Sequence, residues 1–137
     1  MDASVGAFFI SQEPTPLQIN DFPHYLQLFL RHLTVQRRLA DNTVAAYRAD
    51  LQSFLRFAVQ LGGSAPTVID PDLLQHYFAF CHGRGISARS NARRLAALRA
   101  FFLFLCEQGL AAVNPTVAID APKIGRSVTR ALGVAVV

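Results

Sequence analysis

Residues 87–102, SARSNARRLAALRAFF, carry the pattern from which the fold of the chain can be predicted. The stretch opens on Ser87, a residue type that caps helices, and it carries four arginines and no acid. At about 100° per residue, one face of a helix that begins there points to a core. That face consists of Ala88, Asn91, Leu95, Leu98, Phe102 and Leu105. Arg89 and Arg93 project on the opposite side, so a single helix has a charged face and a core face.

The second half of this helix is predicted to be enclosed on every side. Phe101, Leu103 and Phe104 fill the directions that the core-facing stripe leaves open, and Gly109 ends the helix. An enclosed helix needs partner helices around it, and three further helical patterns precede it in the chain.

The first two of these patterns lie between residues 17 and 63. Asn20 or Asp21 is the expected cap of the first helix, which has apolar residues at three- and four-residue spacing. The second helix is expected to begin with Asp41 or Asn42 as its cap and to stop at Gly62.

The third pattern opens at Asp70-Pro71, a cap followed by proline at the first helical position, and ends near Gly83 and Gly85. No strand pattern of useful length is present. The sequence therefore predicts an all-α fold with four helices. Residues 1–16 are expected to be a flexible leader, 17–115 the bundle, and 116–137 an extended linker.

Composition excludes several classes of protein. The chain has 137 residues, of which 52% are hydrophobic and 16% charged, which is typical of a folded domain. No apolar run approaches the roughly 18 residues of a membrane span, and the start of the chain lacks the cations of a secretory signal. Cys81 and Cys106 have no metal-site spacing, so reduced thiols in a cytoplasmic protein are expected.

The distribution of charge is more informative than the net charge of +4. No acid lies between Asp72 and Glu107, whereas five arginines do, which predicts a local positive field. Arg89 and Arg93 are four residues apart on one helix and repel each other unless an anion lies between them. Phosphates would supply that anion, and the Ser87 end of the helix offers free N–H groups to a phosphate. The expected partner is therefore a polyanion that carries phosphates.

Three stretches in order resemble the N-terminal core-binding domain of tyrosine recombinases. They are YLQLFLRHLTVQRRLADNTVAAYRADLQSFLRFA at 25–58, SARSNARRLAALRAFFLFLCEQGLAAVNP at 87–115 and APKIGRS at 121–127. The resemblance is closest to Xer-type recombinases, which resolve chromosome dimers, and to related phage-type integrases. It implies a four-helix, SAM-like orthogonal bundle. This domain would form one half of a clamp around DNA, with its second and fourth helices across the major groove.

The resemblance also implies which residues face the DNA and where catalysis lies. The matching positions are Asn42, Thr43, Arg48, Ser87, Arg89, Ser90, Arg93, Arg94 and Lys123. Catalysis in that family belongs to a second domain, and the chain ends at Val137 where that domain would begin, so truncation or a shifted reading frame is expected. No catalytic residue, metal or cofactor is assigned. The expected partners are double-stranded DNA and further recombinase subunits on the same DNA.

Several of these residues have simpler interpretations. Asn42 is also a candidate helix cap, Thr43 an ordinary first-turn residue, and Arg48 a side chain whose stem covers the edge of the core. The three tyrosines fall on apolar stripes, which favours structural roles. The four histidines lack the spacing of a zinc site.

Two other functions remain open. The chain could be a regulator that occupies recombinase sites and blocks the active enzyme. It could also be a helical protein–protein adaptor, which predicts weak heparin binding and a charged face at Arg89 and Arg93 that is not continuous with Arg48.

Overall fold

Four α-helices make up the computed structural model, which describes residues 17–62 and 68–120. They are α1 (Phe22–Arg31), α2 (Asp41–Gly62), α3 (Pro71–Gly83) and α4 (Ala88–Glu107). The all-α, four-helix prediction is confirmed, and no strand occurs in the described residues, where Gln18 and Val68 form one isolated antiparallel bridge. The expected leader at 1–16 and the linker residues 121–137 lie outside the described residues.

Two of the four helices begin where their capping residues predict. The Asp70 carboxylate accepts a hydrogen bond of 2.9 Å from the backbone N–H of Leu73 at the start of α3. The Ser87 hydroxyl accepts one of 3.1 Å from Ser90 at the start of α4. Each such bond satisfies a backbone donor that the helix leaves open, and is worth about 1 kcal/mol.

Asp21 is the N-cap residue of α1, as predicted, but it makes no side-chain capping bond, and the start of α2 differs from the prediction. A 3-10 turn, Ile19–Asp21, leads into α1. The prediction that Asp41 or Asn42 caps α2 is wrong, because both residues lie inside the helix. The carbonyl of Ala40 instead accepts the first helical bond, from Val44.

The core is built around α4. Its predicted stripe is buried from Asn91 onward, and Phe101 packs against Phe22 with ring centroids 4.7 Å apart. The prediction of complete enclosure is wrong at Leu103, which is 52% exposed. Leu103 lies on the outer side of α4, the same side as Ala92 and Ala96, which are also exposed.

The chain after α4 folds back onto the bundle. Asn114 caps a 3-10 turn, Pro115–Ala118, and Thr116 and Ile119 are each 1% exposed. The side chain of Arg99 on α4 donates a hydrogen bond to the carbonyl of Ile119. The packed unit therefore extends at least to Ile119, beyond the boundary expected at residue 115.

Candidate nucleic-acid interface

The outward face of α4 carries arginine and small residues. Arg89, Ala92, Arg93 and Ala96 recur at three- and four-residue spacing, and all are exposed. The nearest acid on the helix is Glu107 at its last position. The N-terminal half of α4 thus offers a positive surface that a large ligand can approach closely.

Arg93 is bound to a carboxylate of its own chain. Its Nε donates to Oδ2 of Asp50 at 3.0 Å and its Nη2 to Oδ1 at 2.8 Å. The expectation that a phosphate must relieve the repulsion of Arg93 is therefore wrong, because α2 supplies the anion. The two partners differ in exposure, since the Asp50 side chain is 7% exposed and that of Arg93 is 58% exposed.

A groove separates α2 from α4 beside this ion pair. It has a volume of about 230 Å³ and is lined by Thr43, Ala46, Tyr47, Asp50, Arg93, Ala96 and Ala97. Alanines form much of its wall, so it is open to a ligand that approaches from the α4 side. Thr43, a predicted site residue, lies in this groove together with Arg93.

Arg94 points inward, which corrects its assignment to the DNA-facing set. Its Nη1 donates to the hydroxyls of Ser53 and Tyr77, each at 2.9 Å, and lies 3.7 Å from the Cys81 sulfur. Burial lowers the pKa of the Arg94 guanidinium, but its interactions with Tyr77, Cys81 and Asp50 together outweigh burial and the net pKa is raised. The side chain of Arg94 therefore joins α2, α3 and α4 rather than serving a surface.

Tyr77, a hydrogen-bond partner of Arg94, is buried in the core. Its side chain is 1% exposed, and burial raises the pKa of its phenol above the ordinary value, an effect that the hydrogen bond with Ser53 opposes. Tyr77 contacts Arg94, but its phenol is buried and cannot reach a ligand at the surface. The structural interpretation of this tyrosine is supported.

The predicted residues of α2 do not share one face. Asn42, Thr43 and Arg48 are all exposed. Arg48 is two positions from Asp50, which places it about 200° around the helix from the side that meets α4. Arg48 is therefore not continuous with the Arg89 and Arg93 face, as the adaptor hypothesis predicted.

The remaining predicted residues flank the start of α4. Ser87 is exposed and Ser90 half-buried, and the capping bond between them leaves the Ser87 hydroxyl proton free to donate. Lys123 lies outside the described residues.

Sequence reasoning missed Asp50 and Arg56. Asp50 is the single charged residue on the buried side of α2, beside Leu51, and such a residue signals a partner cation on a neighbouring helix. Arg56 is exposed and lies one turn beyond Ser53, which is closer to the α4 side than Arg48.

Two other features are absent from the part of the chain that the structure describes. No cluster of His, Cys, Asp or Glu there could hold a metal ion. No helix there is long and apolar enough to cross a membrane. Cys81 and Cys106 are both free thiols.

The fold and this surface define an all-helical domain with an arginine-bearing face on its last helix. A family model described as phage integrase, N-terminal SAM-like domain, matches residues 26–109, more than half of the chain. The chain belongs to this family.

Curated relatives agree with that assignment. The chain is 38% identical over 110 residues to tyrosine recombinase XerC of Herpetosiphon aurantiacus, covering 80% of this chain and 36% of the relative. It is 38% identical over 113 residues to tyrosine recombinase XerD of Rhizobium meliloti, covering 80% of this chain and 35% of the relative. The chain thus spans about a third of the length of these relatives. No solved structure matches it.

Proposed function

We propose that this chain binds double-stranded DNA as the core-binding domain of a site-specific tyrosine recombinase or integrase. The N-terminal half of α4 and the adjoining face of α2 hold the recombination site, without taking part in strand cleavage. The proposed setting is the cytoplasm, with further recombinase subunits on the same DNA.

The exposed N-terminal half of the outer face of α4, where no acid precedes Glu107, is the observation that carries the proposal. Arg89 is exposed, and within residues 17–62 and 68–120 no carboxylate lies within ion-pair distance of it. A surface arginine without a partner is suited to a backbone phosphate, and such contacts supply most of the affinity of DNA-binding proteins. The residues proposed for the interface are Asn42, Thr43, Ser87, Arg89, Ser90 and Arg93.

Three predicted residues have a different place in the proposal. Arg94 holds the bundle together and is left out of the interface. Arg48 lies on another side of α2, away from the Arg89 and Arg93 face, and is left out of the proposed interface. Lys123 remains a proposed linker contact.

The domain is proposed to be catalytically inert. Strand transfer by a tyrosine recombinase needs an accessible tyrosine, and the tyrosine that contacts an arginine, Tyr77, is buried and hydrogen-bonded to Ser53 and Arg94. A nicking assay on supercoiled plasmid with the purified chain is expected to show no relaxed product.

A salt-dependent titration of a labelled duplex tests the DNA-binding proposal. Arg89→Ala is expected to weaken binding and to reduce the slope of log K against log salt by about 1, one phosphate contact. Arg31→Ala is the matched control, because it removes the same charge from an exposed side chain. Arg31 lines a groove with Phe104 and Gln108, so it lies near the opposite end of α4.

The outcome also separates the alternatives. If Arg89→Ala and Arg31→Ala have the same slope as the unaltered chain, the outer face of α4 is not the DNA surface. An adaptor would show no duplex binding at any salt concentration. A regulator would bind as proposed and would also inhibit a complete recombinase on the same site.

A further inference from the structure

Arg89 and Arg93 project from the same half of α4, but the fold holds them differently. Arg93 is fixed by two hydrogen bonds, at 3.0 and 2.8 Å, to the buried carboxylate of Asp50. Arg89 is exposed and has no such partner among the described residues. The Arg93 side chain is therefore held in one orientation, and Asp50 offsets its charge. The charge of Arg89 is not offset by any carboxylate among the described residues.

The ion pair uses only one edge of the Arg93 guanidinium. A guanidinium has five N–H groups in one plane, and the Nε edge, with one N–H of Nη2, is taken by Asp50. The end edge, formed by Nη1 and the second N–H of Nη2, has no acceptor within the described residues. With 58% of the side chain exposed, this edge presents two parallel donors on a rigid helix.

We propose that Arg93 reads the edge of a guanine in the major groove and that Asp50 is its positioning residue, an inference that rests on the proposed binding of double-stranded DNA. Two parallel donors match the O6 and N7 acceptors of guanine. A phosphate is a poorer match, because the carboxylate of Asp50 offsets the charge of Arg93 and repels a second anion. Arg89, which has a full charge, is assigned to a phosphate.

The surroundings of the pair fit the edge of a base. Ala46, Ala96 and Ala97 line the groove beside Arg93, and Ala92 and Ala96 are exposed on α4. Side chains of this size leave room for a base pair to approach the guanidinium. The hydroxyl of Thr43, which also lines the groove, can donate to or accept from a neighbouring base or phosphate.

The test uses the full chain and duplexes that it selects itself from a randomised pool. Each guanine of a selected duplex is replaced in turn by 7-deazaguanine, which lacks the N7 acceptor. The unaltered chain is expected to lose about 5- to 150-fold in affinity at one position. Arg93→Lys, which keeps a cation beside Asp50 but has no planar pair of donors, is expected to lose the response at that position.

Asp50→Asn separates positioning from a merely structural role. This variant keeps the side-chain shape and frees the charge of Arg93, so binding to unselected duplex is expected to tighten, with a salt slope steeper by up to about 1. The response to 7-deazaguanine is expected to shrink, because Arg93 is no longer held. A residue that only stabilised the fold would give weaker binding to every duplex instead.

Two results would overturn the inference. One is an Arg93→Lys chain that responds to 7-deazaguanine at the same position and by the same factor as the unaltered chain. The other is an Asp50→Asn chain that discriminates guanine as well as before. The selected duplexes could bind with a salt slope that depends on Arg89 and yet show no 7-deazaguanine response that depends on Arg93 or Asp50. In that case the DNA-binding proposal stands and only the guanine assignment fails. If no duplex is enriched, both fail.

Discussion

At the scale of single residues, two adjacent arginines on α4 have opposite surroundings. Arg93 and Arg94 are neighbours in the chain with the same predicted role, yet one faces outward to Asp50 and the other inward to Tyr77. A helix turns about 100° between consecutive residues, so the two side chains leave α4 in different directions. Arg94 then finds its hydrogen-bond partners on α2 and α3. The inward orientation of Arg94 depends on Ser53 and Tyr77, which are distant from it in sequence. The periodicity of α4 alone therefore does not predict this orientation.

Tyr77 leads to a prediction about alkaline pH. Burial raises the pKa of its phenol in the folded chain, so the folded state holds the proton more tightly than the unfolded state does. The free energy of unfolding is therefore expected to be unaffected by this group below its ordinary pKa of about 10 and to fall as the pH rises above that value.

Urea unfolding at pH 8 and pH 10.5 measures this effect, in a Cys106→Ser background that removes the thiol whose pKa burial also raises. Tyr77→Phe is expected to lose stability at pH 8 and to show a smaller further loss at pH 10.5. An equal alkaline loss with and without the Tyr77 hydroxyl would contradict the assignment.

At the scale of elements, the four helices and two of their caps are predictable because short-range rules set them. Asp70 and Ser87 act within three residues of themselves, and the structure has both capping bonds. The start of α2 is not predictable in this way, because α2 extends one residue further back than its capping signal. The contact between α2 and α4 needs Asp50 and Arg93 together, and no local pattern links them.

The pair between α2 and α4 gives the prediction at this scale. Arg93→Ala leaves a buried carboxylate without its partner and is expected to lower the free energy of unfolding by about 1–3 kcal/mol. Arg89→Ala, four residues away on the same face, is expected to change it by less than about 0.5 kcal/mol. Equal effects of the two substitutions in urea unfolding would show that the ion pair contributes nothing measurable.

At the scale of the whole molecule, the boundary of the domain is where the sequence misleads most. Asn114-Pro115 and Pro122 are typical of turns and loops, so the sequence predicts a linker from residue 116 onward. The segment 115–119 instead completes the core, because Ile119 is buried and Arg99 binds its carbonyl. An isolated apolar residue after a turn has no periodicity to reveal that it is buried.

The revised boundary is testable by substitution. Ile119→Ala is expected to lower the free energy of unfolding by about 2–5 kcal/mol, since it removes buried methyl groups and leaves a cavity. Val117→Ala, two residues earlier and 78% exposed, is the matched control and is expected to change it by less than about 0.5 kcal/mol. A loss below about 0.5 kcal/mol for Ile119→Ala would place the end of the domain before this residue.

One end of α4 is proposed to face DNA, while its other end is packed into the bundle. The most direct measurement is a nitrogen-15 NMR titration of the chain with a duplex, following the backbone amides and the arginine Nε–H signals. We expect large shifts at Arg89, at Arg93 and at the amides of 87–93, with unchanged signals at Arg31 and along 103–108. Shifts concentrated at Arg31 and residues 103–108, with Arg89 unmoved, would contradict the account.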